Sequence, residues 1–184
     1  MAGQYLDVYE QSLGTQSIER SLKVARYKSG KYTIERPLHF GAALAGASAE
    51  LMQAYSNYGL PLGEAFQLRD DLLGVFGDPS ETGKPAGDDL REGKRTALLA
   101  IAQERANTSQ SVQLKKHIGD PNLTPSMISD LQQIITETGA TSHIETLIEE
   151  LTSTSLSALN HDGISPDGKK LLTELAILAT NRKI

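Results

Sequence analysis

Two aspartates stand side by side in FQLRDDLLGVFGD, residues 66–78. Phe66, Leu68, Leu72, Leu73, Val75 and Phe76 set Asp70 and Asp71 among apolar side chains. Burying an unpaired carboxylate is costly, so such an arrangement demands cations. At helical spacing, positions 67, 70, 71, 74 and 78 fall on one face. That seam reads Gln67, Asp70, Asp71, Gly74 and Asp78, with hydrocarbon on both sides. A solvated helix surface would account for two acids, but apolar flanks suit the wall of a cleft better.

Cations follow directly. GDPSETGKPAGDDLREGK, residues 77–94, carries Lys84, Arg91 and Lys94 among glycines and prolines, and Arg95 comes next. The same loop holds Asp88 and Asp89. Mg²⁺ prefers carboxylate oxygen, keeps several waters and bridges one or two carboxylates to substrate phosphates. Lysines close by act as point charges on the same phosphates. Acids, a glycine-rich loop and spaced lysines together point to Mg²⁺ and a diphosphate. GDPSETGK is not a P-loop, which needs four residues between its glycines and Ser or Thr after the lysine. Here five residues separate Gly77 from Gly83, Pro85 follows Lys84, and the stretch follows a helical pattern instead of a strand.

Two more polar faces occur on apolar helices. Gln4 and Asp7 lie three residues apart on the first. In YKSGKYT, residues 27–33, Lys28, Ser29 and Tyr32 share a face if the helix continues. Each alone is what a solvated surface would show. As a set, three polar seams aimed at a common cavity suit a prenyl-type substrate, with a charged mouth for diphosphate and an apolar tunnel for hydrocarbon. His39, His117, His143 and His161 fall at no metal-ligand spacing and read as ordinary surface or core residues.

The elements that must position these residues read as helices throughout. Apolar spacings of three and four recur, and no period-two run survives inspection. The spacing predicts helices over residues 2–12, 17–28, 37–58 and 62–76, with a break or kink at Gly59 and Pro61. Residues 77–94 read as a loop. Amphipathic helices then follow over about 96–105, 110–118, 125–138, 141–160 and 166–181. Asp120-Pro121, Thr124-Pro125, Gly139, Asp162-Gly163 and Ser165-Pro166 punctuate them.

The 184 residues match one ordinary domain, so 1–184 is expected to be a single domain with a real core. Without cysteine there are no disulfides or thiolate metal sites, which fits a reducing, intracellular setting. A net charge of -5 and the lack of a long basic run argue against nucleic acid as a partner. No apolar segment is long enough for a transmembrane span, and MAGQYLDVYEQ lacks the pattern of a secretory signal. The chain enters helical spacing at once, with no cap before it, which predicts that sequence upstream of Met1 is missing.

FQLRDDLLGVFGD followed by TGKPAGDDLREGKRT resembles the second aspartate-rich region of the trans-isoprenyl diphosphate synthases, the farnesyl and geranylgeranyl diphosphate synthase group. The matching positions are Phe66, Gln67, Asp70, Asp71, Gly83, Lys84, Gly87, Asp89, Lys94 and Thr96. Gly3, Gln4 and Asp7 resemble that family's Gly-Gln-x-x-Asp segment, and YKSGKYT resembles its Lys-Thr segment with Ser29 standing for Thr. The resemblance implies an all-α helical bundle, here part of the isoprenoid-synthase (terpenoid synthase) fold, with a Mg²⁺ cofactor. It implies allylic diphosphate and isopentenyl diphosphate as substrates, a cytoplasmic setting and a homodimer. Position by position it makes Asp70 the metal ligand, supported by Asp71. Lys28, Lys84 and Lys94 would hold the allylic diphosphate. Gln67, Ser29 and Tyr32 would line the reaction centre, and Gln4, Asp7 and Asp89 the polar wall.

Two departures shape the expected function. Gly74 stands where the motif's third aspartate belongs, and no other Asp-Asp-x-x-Asp run occurs in the chain. The expectation is the C-terminal portion of a polyprenyl synthetase, inactive alone. The alternatives are a non-catalytic or regulatory subunit of a hetero-oligomeric synthase, a terpene cyclase on the same fold, or a helical interaction protein that binds no diphosphate. The paired loop lysines and the Gly-Gln-x-x-Asp segment argue against the cyclase.

Overall fold

The structure, a computed structural model, describes residues 2–13, 17–79, 83 and 85–182. Among them there are helices and no strand. In chain order they are α1 (Ala2–Ser12), α2 (Ile18–Ala25), a π-helical stretch (Arg26–Glu35), α3 (Arg36–Leu44), α4 (Ala49–Phe76), α5 (Asp88–Glu92), α6 (Ala97–Arg105), α7 (Thr108–His117), α8 (Pro125–Glu137), α9 (Ala140–Ser157) and α10 (Pro166–Thr180). Two compact units emerge, each built from separated stretches of chain. Of the described residues, one comprises 2–8, 22–67 and 147–182, and the other 9–13, 17–21, 68–79, 83 and 85–146.

The first unit is organised around α4 as far as Gln67. Tyr58 and Leu62 are fully buried with Leu159 and Ala176, and Ile34, Leu38, Leu156 and Leu172 pack against them. Polar atoms inside this core are satisfied, as burial requires. The Tyr58 hydroxyl donates to the Leu172 carbonyl at 2.7 Å, and Ser155 Oγ donates to the Tyr58 carbonyl at 2.8 Å. The π-helical stretch runs antiparallel to α4 at close range. A Cβ at Gly63 would lie 2.6 Å from the Ser29 carbonyl carbon and nearer still to Gly30. One at Gly59 would lie 3.1 Å from the Glu35 backbone.

Two sequence expectations are corrected here. Gly59 and Pro61 do not break the helix, because α4 runs through both. Pro61 forfeits one backbone hydrogen bond, while the glycines let α4 approach the neighbouring backbone. The break falls instead inside the expected 37–58 helix. Gly46, at φ 71°, closes α3 in a Schellman turn, with Ala47 N–H to the Ala42 carbonyl at 2.9 Å and Gly46 N–H to the Ala43 carbonyl at 3.1 Å. Ser48 then caps α4, its Oγ accepting from Leu51 N–H at 3.3 Å.

In the second unit, α6 is buried over every residue from Ala97 to Ala102, which fits a helix apolar on all sides. Leu68, Leu72, Val75, Leu114, Ile128, Leu131, Ile135 and Ile144 are buried as well. Thr96 caps α6, Asn107 and Gln110 form a capping box on α7, and Thr124-Pro125 opens α8. The expected 77–94 loop contains the short α5, bounded by Gly87 at φ 68° and Gly93 at φ 65°.

Candidate active site

In the first unit, α1 and the π-helical stretch meet through a glycine. Gly3 is buried, and a Cβ there would lie 2.6 Å from the Tyr27 carbonyl carbon and closer to Lys28. Only the absence of a side chain lets α1 come this near. One turn on, Asp7 Oδ2 meets Lys28 Nζ at 2.6 Å, with the two side chains 24% and 38% exposed. Next to Lys28, Ser29 is buried and donates through Oγ to Gln67 Oε1 at 2.7 Å. Arg26 Nη1 reaches Glu64 Oε1 at 2.6 Å, one turn before Gln67 on α4. π-Helical turns are rare and often occur at functional sites. Here one holds Lys28 and Ser29 against two different acceptors.

Tyr32 does not join them. It is 65% exposed, while Lys31 packs over the Tyr27 ring at 5.3 Å. Gln4 is exposed on α1.

The second unit holds the adjacent acid pair and Asp89. Asp70 is exposed and Asp71 is buried, so the adjacent pair presents one carboxylate to solvent. Asp89 is 3% exposed, and its Oδ1 accepts from Lys94 Nζ. Burial pushes the Asp89 carboxyl above the ordinary carboxylate value. The Lys94 hydrogen bond and charge oppose that rise, and the charges of Asp70 and Glu92 add to it. Burial alone would lower the Lys94 ammonium. Its hydrogen bond and charge pairing with Asp89 outweigh that, with Glu92 helping at 3.5 Å, so Lys94 stays firmly protonated. Lys84 lies outside the described residues.

Sequence reasoning did not find the role of Thr96, matched above only as part of the Lys-x-Thr pattern. Its Oγ1 accepts from Leu99 N–H at 3.3 Å as the cap of α6. A Thr just before an apolar run was the available signal. Among the described residues, no group of three or more His, Cys, Asp or Glu is arranged to hold a metal ion. The donors that face solvent are hard carboxylate oxygens. They fit Mg²⁺, which takes one or two carboxylates and fills its shell with water and phosphate.

A sequence profile of the polyprenyl synthetase family matches residues 1–137. Geranylfarnesyl diphosphate synthase of Aeropyrum pernix is 36% identical over 143 residues, which is 78% of this chain and 43% of that protein. The crystal structure of geranylgeranyl pyrophosphate synthase from Corynebacterium glutamicum, complexed with isoprenyl diphosphate and magnesium, aligns at a TM-score of 0.95 and 45% identity. The alignment covers 99% of this chain and 52% of that one. Polyprenyl synthase from Caulobacter crescentus, complexed with calcium and isoprenyl diphosphate, aligns at a TM-score of 0.85 and 28% identity over 100% of this chain and 55% of the other. The chain thus spans about half the length of the relatives it matches. Its helices are those of the isoprenoid-synthase fold, and the chain belongs to the polyprenyl synthetase family.

Proposed function

We propose that this chain forms the second aspartate-rich half of an isoprenyl diphosphate synthase site. The reaction joins an allylic diphosphate to isopentenyl diphosphate. The allylic carbon–oxygen bond breaks, and diphosphate leaves with the electron pair. The terminal alkene carbon of isopentenyl diphosphate bonds to the allylic carbon, and the resulting cation loses a proton to restore a double bond.

The observation that carries this reading is Lys94, held by the buried Asp89 carboxylate in the unit that also bears exposed Asp70. A cation fixed in place stabilises charge on a leaving group without reorganising during the reaction. Lys28, Lys84 and Lys94 bind the allylic diphosphate in this proposal. Asp70 holds Mg²⁺ and Asp71 stands behind it. Bound Mg²⁺ would neutralise charge as the diphosphate departs. Ser29 and Gln67 line the reaction centre, and Gln4, Asp7 and Asp89 form the polar wall, with Asp7 fixing Lys28. The relatives' names and the two bound diphosphates and divalent metals in solved structures support the substrate class. The single Asp-Asp pair on α4, with no complete Asp-Asp-x-x-Asp run in the sequence, supports the view that turnover needs a further acidic seam. The chain is then the C-terminal portion of one synthase domain, which pairs as a homodimer.

The test is calorimetric titration of the chain with inorganic pyrophosphate, with and without Mg²⁺. A second arm assays turnover of labelled isopentenyl diphosphate with an allylic diphosphate. Mg²⁺-dependent binding that is lost in Asp70→Ala, together with no product from this chain alone, is expected. Absence of Mg²⁺-dependent binding would sink the reading and leave a helical interaction protein.

A further inference from the structure

Gly74 occupies the position of the motif's third acid, yet the space beside it is filled. A Cβ at Gly74 would lie 2.8 Å from Asp89 Oδ1 and closer still to Cγ and Oδ2. Real side-chain carbons essentially never come within 3.0 Å of such atoms. A carboxylate therefore does reach this point on α4, but it arrives from α5. The route there is specific. Gly87 and Gly93, at φ 68° and 65°, bracket α5 and fold the chain back. Lys94 N–H consequently donates to the Asp89 carbonyl at 3.1 Å, while Lys94 Nζ donates to Asp89 Oδ1. Asp89 is 3% exposed and touches α4 with one end of its carboxylate and the ammonium with the other.

We propose that Gly74 is a positioning residue for Lys94: its missing side chain is the seat of the Asp89 carboxylate, and Asp89 seated there holds the Lys94 ammonium where a diphosphate meets it. The last clause rests on the diphosphate reading above. Glycine at 74 is on this account a different construction of the same corner. With glycine at 74, the Asp89 carboxylate occupies the space that a side chain on α4 would take.

The atom facing Gly74 is the tip of a side chain, so Gly74→Ala is expected to evict Asp89 before it unfolds α4. A hydrogen-bonded lysine ammonium exchanges its protons slowly and gives a proton–nitrogen cross-peak, which a Lys94→Arg variant identifies by deleting it. We expect that peak in the wild type and its loss in both Gly74→Ala and Asp89→Gly. Affinity for Mg²⁺–pyrophosphate should fall about tenfold in each single variant, roughly 1.4 kcal/mol. In the Asp89→Gly background, adding Gly74→Ala should change neither readout, because Gly74 acts only through Asp89.

A persistent Lys94 peak in Gly74→Ala overturns the proposal. So do effects of the two substitutions that multiply. Should Gly74→Ala fail to fold, Asp89→Gly must restore folding, and failure to do so also overturns it. A wild-type chain that binds no Mg²⁺–pyrophosphate defeats the diphosphate reading instead, while the ammonium peak still decides whether Gly74 seats Asp89 on Lys94.

Discussion

Ser29 Oγ donates to Gln67 Oε1 at 2.7 Å, joining two residues 38 apart in the chain. Ser29 is 4% exposed, so water does not replace this bond when it is lost. A neutral hydrogen bond of this kind contributes about 1 kcal/mol, and more when the remaining partner is left desolvated. Ser29→Ala is therefore expected to lower stability by about 1 kcal/mol. Ser29→Thr keeps the donor and should lie closer to the wild type. Urea unfolding at constant slope measures both, and equal midpoints for wild type and Ser29→Ala would refute the contribution.

Gly63 and Gly41 separate two uses of glycine in a helix. At Gly63 an added Cβ would run into the backbone of Ser29 and Gly30, which cannot swing away as a side chain can. Gly63→Ala is expected to cost about 3 kcal/mol, the upper end for overpacking. Gly41 is exposed in α3 with nothing within 4 Å of the same atom. Gly41→Ala should stabilise by about 0.5 to 1 kcal/mol, because alanine loses less backbone freedom on folding. Thermal melts of the two variants should move in opposite directions.

Much of this architecture was legible in the residues, where a single physical cause dominates. Thr124-Pro125 and Ser165-Pro166 each cap a helix and fix its first φ, so α8 and α10 start where expected. The run 97–102 is apolar on every side and forms a buried helix. Small residues were ambiguous. Gly46 and Ser48 end one helix and begin another, whereas Gly59 and Gly63 pack a continuous helix against a neighbour. Both sets are short side chains in sequence, and only tertiary contact tells them apart. Within the candidate site, the pattern of Asp70, Asp71, Asp89 and Lys94 was visible, and so was the vacancy at Gly74. That Asp89 fills it was not, since this depends on the path set by two left-handed glycines. No residue type announces a π-helical register, so the partners of Lys28 and Ser29 were hidden as well.

Glu64 gives a pH dependence with a definite sign. Burial pushes its carboxyl above the ordinary 4.5, against the pull of the Arg26 hydrogen bond and charge. The folded state thus holds this proton more tightly than the unfolded chain. Its contribution is fully present below pH 4.5 and is lost as pH rises through the higher folded value. Glu64→Gln cannot ionise and escapes that loss. The stability of Glu64→Gln relative to wild type should therefore increase from acid toward neutral pH. Other titrating groups are common to both proteins and cancel in the difference. A difference that stays flat across this range, measured by urea unfolding at several pH values, would show that Arg26 compensates the burial fully.

Arg69, next to Asp70 on α4, makes a two-pronged pair with Glu145 of α9, Nη1 to Oε1 at 2.7 Å and Nη2 to Oε2 at 2.6 Å. The arginine side chain is 9% exposed and the glutamate 33%. That asymmetry predicts unequal substitutions. Removing the acid leaves a desolvated guanidinium with this pair broken, whereas removing the arginine leaves a carboxylate that water can reach. Fully buried pairs lose about 3 to 5 kcal/mol when one partner goes. Because Glu145 is partly solvated, Glu145→Ala should cost less, about 2 kcal/mol. Arg69→Met, which keeps much of the side-chain volume, should cost less than that. The double variant Arg69→Met with Glu145→Leu should be more stable than Glu145→Ala alone, since no guanidinium remains in that buried place. Urea unfolding of the three variants ranks them, and a Glu145→Ala variant milder than Arg69→Met would mean that the guanidinium is solvated through some other route.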